Sequence, residues 1–407
     1  MTTQTLNPTA PIAIDSRALV PGPAAITAMV IALAAWYLST AISWRQGALF
    51  LVGAGAGVVL YHAAFGFTSS WRVFISDRRG AGLRAQMLML ALTCVVFFPL
   101  LAAGSFLGQP LRGSVSPAGV GVAAGAFIFG LGMQLGGGCA SGTLFSVGGG
   151  SARMLVTLFF FIIGSVIGTA HTPWWNAQPS FPATSLVTTI GPWLGLVVCF
   201  ALFGGIAWFT RVAERKRHGR IVDETRPGTG PRWLKGPWPL VAGAVGLALV
   251  NIATLTIGGR PWGVTSAFAL WGAKLFAALG IDVASWAYWT TPAQATALRS
   301  SVLLDVTSVM DFGIILGALM AAMLAGRFAP VWKVSGRSLA AAVIGGILLG
   351  YGARIAYGCN IGAYFSGIAS GSLHGWLWLV AAFAGNIAGT GLRPMFDLKV
   401  EKTPTAC

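Results

Sequence analysis

Ten apolar segments, each long enough to cross a lipid bilayer, constrain this chain more than any other feature of its sequence. A helix needs about 20 predominantly apolar residues to span the hydrocarbon core. The segments lie at about 24–42, 47–65, 86–108, 118–135, 153–171, 190–210, 238–258, 302–325, 338–355 and 374–392. Two shorter apolar segments, 65–76 and 261–280, are predicted to form helices that do not cross. The sequence therefore predicts an all-α polytopic membrane protein with about ten transmembrane helices.

Composition supports this class. Charged residues make up 9% of the 407 residues and hydrophobic residues 56%, whereas a soluble domain carries about 25% charged residues. The 56 glycines recur inside the apolar segments, which suits membrane helices that pack closely through small residues. The net charge of +16 lies in the loops, so the lipid bilayer is a predicted partner and nucleic acid is not.

The basic residues predict the orientation of the chain. With the N-terminus in the cytoplasm, 20 of the 26 Lys and Arg residues fall on the cytoplasmic side, as the positive-inside rule requires. We therefore expect a bacterial inner-membrane protein with cytoplasmic tails at 1–23 and 393–407. A polar, basic stretch at 211–237 is interpreted as a cytoplasmic linker between a first membrane half, 24–210, and a second membrane half, 238–392.

An internal repeat relates the two halves. Shifting the chain by 220 residues gives seven identities in a window of 17 residues, where chance in this composition gives about one or two. Gly130, Gly132, Gly138, Cys139, Gly142, Phe145 and Ser146 fall on Gly350, Gly352, Gly358, Cys359, Gly362, Phe365 and Ser366. A weaker match, at an offset of 197, places GFTSSW on GVTSAF.

The number of crossings predicts how the repeats are oriented. The first repeat, at about 47–171, begins with the second span, and the other repeat begins five crossings later with the seventh. Because five is odd, the repeats are predicted to be inverted in the membrane. Inverted repeats with glycine-broken segments at corresponding positions are typical of secondary transporters, whose sites lie near the midplane.

The repeat is strongest at two short motifs, GGGCASGTLFS at 136–146 and YGCNIGAYFS at 357–366. We call them the first and second Gly-Cys turns. Glycine lets the backbone leave a helix, and a new short helix is predicted to begin after each cysteine. Its free N–H groups would attract an anion and favour a thiolate. The candidate residues of a transport path are Cys139, Gly138, Gly142, Cys359, Gly358 and Gly362.

Three other residues are candidates for coupling or gating. Asp305 and Asp311 lie in the eighth span, where carboxylates are rare and usually functional. A proton-coupling role for them competes with a helix cap or an ion pair to Arg299. Arg354 either attracts an anion at the outer mouth or extends to the lipid interface.

The remaining cysteines are predicted to be less important. Cys94 and Cys199 lie within apolar spans and are interpreted as packing residues, and Cys407 lies in the C-terminal tail. The five cysteines form no CxxC pair, so neither a disulfide framework nor a metal site is expected. The sequence predicts no cofactor.

At these motifs the sequence resembles the YeeE/YedE family, also called the sulfur-transport family. The resemblance runs from about 48 to 393 and is most specific at GGGCASG, YGCNIGAYFSGI and RPWGVTSAFALWGAK. It implies thiosulfate uptake through two inverted halves, with a relay of cysteines that pass the ion along by weak thiol hydrogen bonds. The two loop cysteines of the family correspond to Cys139 and Cys359. Many members have a further cysteine where this chain has Gly66, so a relay of three thiols is not expected.

The predicted function is therefore uptake of thiosulfate or a related sulfur-containing anion through a central path, and not an enzymatic reaction. A catalytic thiol needs a nearby base, and apart from His374, a little beyond the second turn, neither turn has a His or carboxylate within ten residues. The alternatives are a thiol-dependent sulfur-transfer or redox membrane protein, a selenium-compound transporter and a structural subunit. A cytoplasmic sulfurtransferase is a candidate partner.

Overall fold

The computed structural model describes residues 21–222, 232–328, 330 and 334–401. In chain order its α-helices are α1 Pro21–Ala41, α2 Trp44–Ala63, α3 Phe67–Asp77, α4 Ala81–Ala103, α5 Val120–Gly136, α6 Ala140–Gly148, α7 Ala152–Asn176, α8 Leu186–Thr189, α9 Pro192–His218, α10 Arg232–Lys235, α11 Leu240–Gly258, α12 Thr265–Ala278, α13 Pro292–Arg299, α14 Val306–Leu324, α15 Gly336–Ile355, α16 Ser366–Ala369 and α17 Leu373–Leu392. A π-helical turn, Asn360–Phe365, precedes α16, and 3₁₀ turns lie at Val283–Ser285, Val302–Leu304 and Arg393–Phe396.

Ten helical segments of the described residues are long and apolar enough to cross a membrane. This finding confirms the predicted class and number of spans. The 11-residue α3 and the 14-residue α12 are about 16 and 21 Å long at 1.5 Å per residue. Since the hydrocarbon core is about 30 Å thick, neither helix can cross it. The prediction for the two short apolar segments is therefore also confirmed.

Several helix ends differ from the apolar segments that predicted them. Helix α4 ends at Ala103, before 108, because Gly104 adopts a left-handed φ of 72° and stops it. Helix α9 continues to His218, so the first eight residues of the predicted linker are helical. Apolar windows miss such ends because a helix continues into polar residues beyond the bilayer. Residues 1–20 of the predicted tail, residues 223–231 of the predicted linker and residues 402–407, with Cys407, lie outside the described residues.

Within the described residues, four very short strands join the loops outside the helices. The strands β1 Ser105–Phe106 and β2 Gln109–Pro110 pair antiparallel, with Ser105 opposite Pro110. The strands β3 Ala118–Gly119 and β4 Ser180–Phe181 also pair antiparallel, with Ala118 opposite Phe181. This second pair ties the chain just before α5 to the chain just after α7.

The main helix contacts join the predicted first membrane half to the predicted second half. Helix α2 packs on α14, α7 on α15, and α5 on both α15 and α17. Glycines bring these helices into backbone contact, since a Cβ at Gly345 would collide with Gly136 and one at Gly317 with Ala54. Close approach through small residues is how membrane helices gain packing energy. The two halves are therefore interlocked rather than side by side.

Candidate functional site

The first Gly-Cys turn joins α5 to α6. Gly137 follows α5 with a φ of 93°, in the left-handed region that favours glycine. Cys139 is the N-cap of α6, and its thiol sulfur accepts a hydrogen bond from the backbone N–H of Gly142 at 3.4 Å. Its side chain is 2% exposed. The short helix predicted after Cys139 is therefore present, with its free N–H groups directed at the sulfur.

The glycines of this turn have different roles. The residue that reverses the backbone is Gly137, whereas Gly138 provides space: a Cβ at Gly138 would lie 3.1 Å from Cε of Met154. A Cβ at Gly142 would lie 3.4 Å from the Cys139 sulfur, so glycine there keeps a side chain out of contact with the thiol. The sequence of three consecutive glycines does not indicate which one reverses the backbone and which one provides space.

The second Gly-Cys turn joins α15 to the π-helical turn. Tyr357 and Gly358 both have positive φ, at 58° and 148°, and Cys359 then caps the turn. Its thiol accepts from the backbone N–H of Ile361 at 3.4 Å, and its side chain is fully buried. A Cβ at Gly362 would meet no atom within 4 Å. There is therefore open space beside this turn, and π-helical turns are frequent at functional sites.

The two turns meet inside the protein. Helix α6 contacts the π-helical turn, and Cys359 lies close enough to both Cys139 and Asp311 to interact with them electrostatically. Two motifs that are 220 positions apart in the sequence thus contact each other, through α6 and the π-helical turn. The structure brings together the two candidate thiols and one of the candidate carboxyls.

Sequence reasoning missed several polar groups around the second turn. Four polar side-chain atoms there are buried without a hydrogen-bond partner in the described residues: Nδ2 and Oδ1 of Asn360, Nε1 of Trp262 and Nε2 of Gln86. The Trp262 carbonyl accepts from the Ser366 hydroxyl at 2.7 Å, and Tyr364 donates to Gln86 at 3.5 Å. These bonds place all three groups against the turn. Of these three residues only Asn360, which follows Cys359 directly, lies in a Gly-Cys motif, so only Asn360 could have been found from the sequence.

Buried polar groups are nearly always hydrogen-bonded, so unpartnered donors in the interior indicate space for a ligand that accepts hydrogen bonds. An anion is such a ligand. The donors here are the neutral side-chain amide and indole groups of Asn360, Gln86 and Trp262, which can solvate an anion without a permanent counter-charge. The polar groups around the second turn therefore suit a ligand that accepts hydrogen bonds.

Asp305 is the N-cap of α14, which was one of the predicted alternatives for this residue. Its carboxylate accepts from both the backbone N–H and the hydroxyl of Ser308 at 2.7 Å. Arg299, the alternative ion-pair partner, donates instead to the carbonyl of Ala295. Asp311 lies further into α14, is fully buried, and neither of its oxygens has a hydrogen-bond partner among the described residues.

Arg354 lines a cavity of about 570 Å³ next to the second turn. Its guanidinium donates to the Tyr288 hydroxyl at 3.3 Å and lies 5.6 Å from the centre of that ring. The other lining residues are Ser116, Thr172, Pro173, Asn176, Ala287, Thr291, Gln294 and Tyr357. Since Tyr357 is two residues before Cys359, the cavity connects Arg354 to the start of the second turn.

The other two buried cysteines form a separate contact. The thiols of Cys94 on α4 and Cys199 on α9 interact with each other, and Cys94 also approaches the carbonyl of Ile368 at 3.9 Å. Both side chains are fully buried. Their position agrees with the interpretation as packing residues.

Comparison with known proteins identifies relatives over nearly the same residues. The chain is 28% identical to the thiosulfate transporter TsuA of Spirochaeta thermophila over 358 residues, 83% of this chain and 95% of that protein. It is 24% identical to TsuA of Escherichia coli K12 over 354 residues, 82% of this chain and 91% of that protein. The probable transporter YedE of E. coli K12 is 31% identical over 171 residues, which is only 42% of either chain.

These relatives are named as transporters, which agrees with the prediction that the chain is not an enzyme. A family model described as sulphur transport matches residues 62–388. This match includes both Gly-Cys turns, Asp311 and Arg354, and it confirms the family resemblance seen in the motifs. Since the matched residues make up most of the chain, the protein belongs to the sulphur transport family of membrane transporters.

Proposed function

We propose that this protein takes up thiosulfate, or a closely related sulfur-containing anion, across the bacterial inner membrane along a path lined by the two Gly-Cys turns. The observation that carries the proposal is the contact, in the protein interior, between the two helical turns that Cys139 and Cys359 cap. The family match and the thiosulfate transporters among the relatives support the choice of substrate.

The chemistry of the path suits passage rather than capture. A thiol is a weak hydrogen-bond donor, so the anion can pass from one thiol to the next. The N–H groups of Gly142 and Ile361, which now bond the sulfurs at 3.4 Å, favour negative charge beside each thiol. Conduction needs binding that is strong enough for entry and weak enough for release. Neutral donors and two thiols meet this requirement better than a fixed positive charge would.

The helix contacts support the proposed inverted repeat. In the repeat α5 corresponds to α15 and α7 to α17, so the α7–α15 contact corresponds to the α17–α5 contact. The α5–α15 contact then corresponds to itself, as expected of helices related by a two-fold axis. All these contacts are among the most extensive in the protein.

This repeat gives the path a direction. The cavity at Arg354 lies on the proposed periplasmic side, where its charge attracts anions to Cys359. On the proposed cytoplasmic side, Arg153 donates to the carbonyl of Gly136 at 2.8 Å, next to the first turn. The anion is proposed to pass Cys359 first and Cys139 second, and a cytoplasmic sulfurtransferase is the proposed consumer.

Uptake of a dianion into a negative-inside cell needs a source of energy. Each charge costs about 2.3 kcal/mol per 100 mV of membrane potential, so thiosulfate costs about twice that. Asp311 is the proposed coupling residue, because it is fully buried without partners and lies near Cys359. Intramembrane carboxyls of this kind carry protons in pumps and transporters. Asp305 is engaged as a cap and is left out of this proposal.

Purified protein in liposomes tests the proposed substrate directly. Uptake of sulfur-35 thiosulfate should exceed that of empty liposomes and should be blocked by unlabelled thiosulfate. Sulfate has no terminal sulfur to bond the thiols and should compete weakly, while sulfite and selenosulfate rank the related substrates. Equal competition by sulfate would contradict a thiol-lined path, and uptake no higher than in empty liposomes would overturn the proposed function.

Labelling from one side of the membrane tests the order of the thiols. In variants that keep only Cys139 or only Cys359, an impermeant thiol reagent added outside should reach Cys359 sooner. Excess thiosulfate should slow that reaction by occupying the path. Both thiols are almost fully buried, so the protection by substrate is as informative as the rate. Equal, unprotected labelling of both would mean that they do not line one route.

Reporter fusions test the proposed topology. Fusions at Gly228 and Lys402, which lie outside the described residues, should report the cytoplasm, whereas a fusion at Gln178 should report the periplasm. The reason is the distribution of Lys and Arg, which places both tails and the central linker inside. A cytoplasmic signal at Gln178 would exclude the proposed orientation and with it the inverted repeat.

A further inference from the structure

Three arginines converge on the end of α5, immediately before the first Gly-Cys turn. Arg393 donates to the backbone carbonyl of Gln134 at 2.6 Å, and Arg153 donates to the carbonyls of the next two residues at 2.6 and 2.8 Å. Arg72, on α3, donates to the side-chain oxygen of Gln134 at 3.3 Å. Lys or Arg at a helix C-terminus is stabilising, and this accounts for Arg393 and Arg153.

Arg72 is bonded differently. It uses one nitrogen on Gln134 and presents Nε and Nη2 together to both carboxylate oxygens of Glu401. This two-pronged arrangement is the geometry in which arginine recognises carboxylate, phosphate and similar oxyanions. The Arg72 side chain is 10% exposed and that of Glu401 40% exposed. A nearly buried donor edge is thus occupied by a partly exposed carboxylate from the C-terminal segment.

The surroundings of this edge favour negative charge. Burial alone would raise the pKa of Glu401, but hydrogen bonds and charge from Arg72, with the charge of Arg393, hold that pKa below its ordinary value. Glu401 is therefore ionised at neutral pH. Protonation at acid pH, below this lowered pKa, would weaken the contact. The place that Glu401 occupies is built for an anion.

We propose that Arg72, with Arg393 behind it, forms an oxyanion-binding site at the inner end of the path, and that Glu401 is a competitor built into the chain. The position of this site on the path rests on the proposed function. A dianionic tetrahedral oxyanion can make the same two hydrogen bonds with a higher charge than a single carboxylate. As it leaves the first Gly-Cys turn it displaces Glu401, and the return of Glu401 releases it into the cytoplasm.

Anion binding to the purified full-length protein tests this site without any need for transport. The probe is inorganic sulfate, measured by calorimetry and by its effect on thermal unfolding, because sulfate has the oxyanion geometry and lacks a terminal sulfur. E401Q and E401A should bind sulfate about tenfold more tightly than the unmodified protein, since an intramolecular competitor has been removed. Adding R72K to E401A should abolish the gain, because lysine lacks the two-pronged donor edge.

D397N is the matched control. Asp397 lies four residues before Glu401 and pairs with Arg337 at 3.2 Å, but both side chains of that pair are more than half exposed. Its loss should leave sulfate binding unchanged. Sulfate affinity in E401Q and E401A no greater than in D397N would overturn the proposal, as would a gain that persists with R72K. Absence of thiosulfate uptake in liposomes would overturn the proposed function while leaving this measurement valid.

Discussion

Replacing Cys139 or Cys359 with alanine is expected to lower thiosulfate uptake by about 10- to 100-fold while the protein still inserts into the membrane. That factor corresponds to the loss of a hydrogen bond to a charged group, about 1.5–3 kcal/mol. Each cysteine caps only a short helical turn, so the transmembrane helices do not depend on it. Initial uptake rates, normalised to the amount of protein in the liposomes, measure the effect.

Cys94 and Cys199 provide the matched controls, since both are buried thiols that cap neither turn. C94A and C199A should retain most of the uptake. Serine at position 139 or 359 separates two roles, because serine is a strong N-cap but lacks the soft sulfur atom. Full transport by C139A or C359A would reduce these cysteines to packing residues.

Replacing Asp311 with asparagine is expected to abolish the response of uptake to a proton gradient while thiosulfate exchange across the membrane continues. Asparagine has nearly the same shape as the carboxyl but cannot carry a proton. If one proton accompanies each anion, a gradient of one pH unit, acid outside, should raise accumulation by about tenfold in the unmodified protein. In D311N, accumulation should be the same with and without the gradient, with the membrane potential clamped at zero.

The control for this experiment is D305N, on the same helix. Asp305 caps α14 through Ser308, and asparagine is an equally good cap, so D305N should respond to the gradient as the unmodified protein does. If D311N also keeps the full response, Asp311 is not the coupling residue. If D311N loses exchange as well, the side chain is needed for the path itself, and the proton-coupling role fails.

The features that could be predicted from the sequence are those set by local pattern. Apolar length predicted ten spans, and shortness predicted that α3 and α12 do not cross. Glycine around cysteine predicted the break after α5 and the new helix at Ala140. The length of an apolar segment and the backbone freedom of glycine are both properties of neighbouring residues, so these features can be predicted directly from the sequence.

The features that could not be predicted depend on contacts between distant residues. The π-helical turn after Cys359 differs from the α-helix after Cys139, although the two motifs are alike in sequence. Asp311 rather than Asp305 is the proposed coupling residue because of their hydrogen bonds. Ser308 donates to Asp305, whereas Asp311 has no donor among the described residues. Likewise, nothing in the sequence connects Arg72 with Glu401, 329 residues away.

The glycine contacts between the two membrane halves limit which parts of the transporter can move. Sliding one half past the other would separate backbones that touch at Gly345 and Gly317, and this would cost the packing energy of several helix pairs at once. Motion confined to side chains and short turns takes nanoseconds to microseconds, whereas domain rocking takes microseconds to milliseconds. Turnover is therefore expected to resemble that of a gated pore more than that of a rocking carrier.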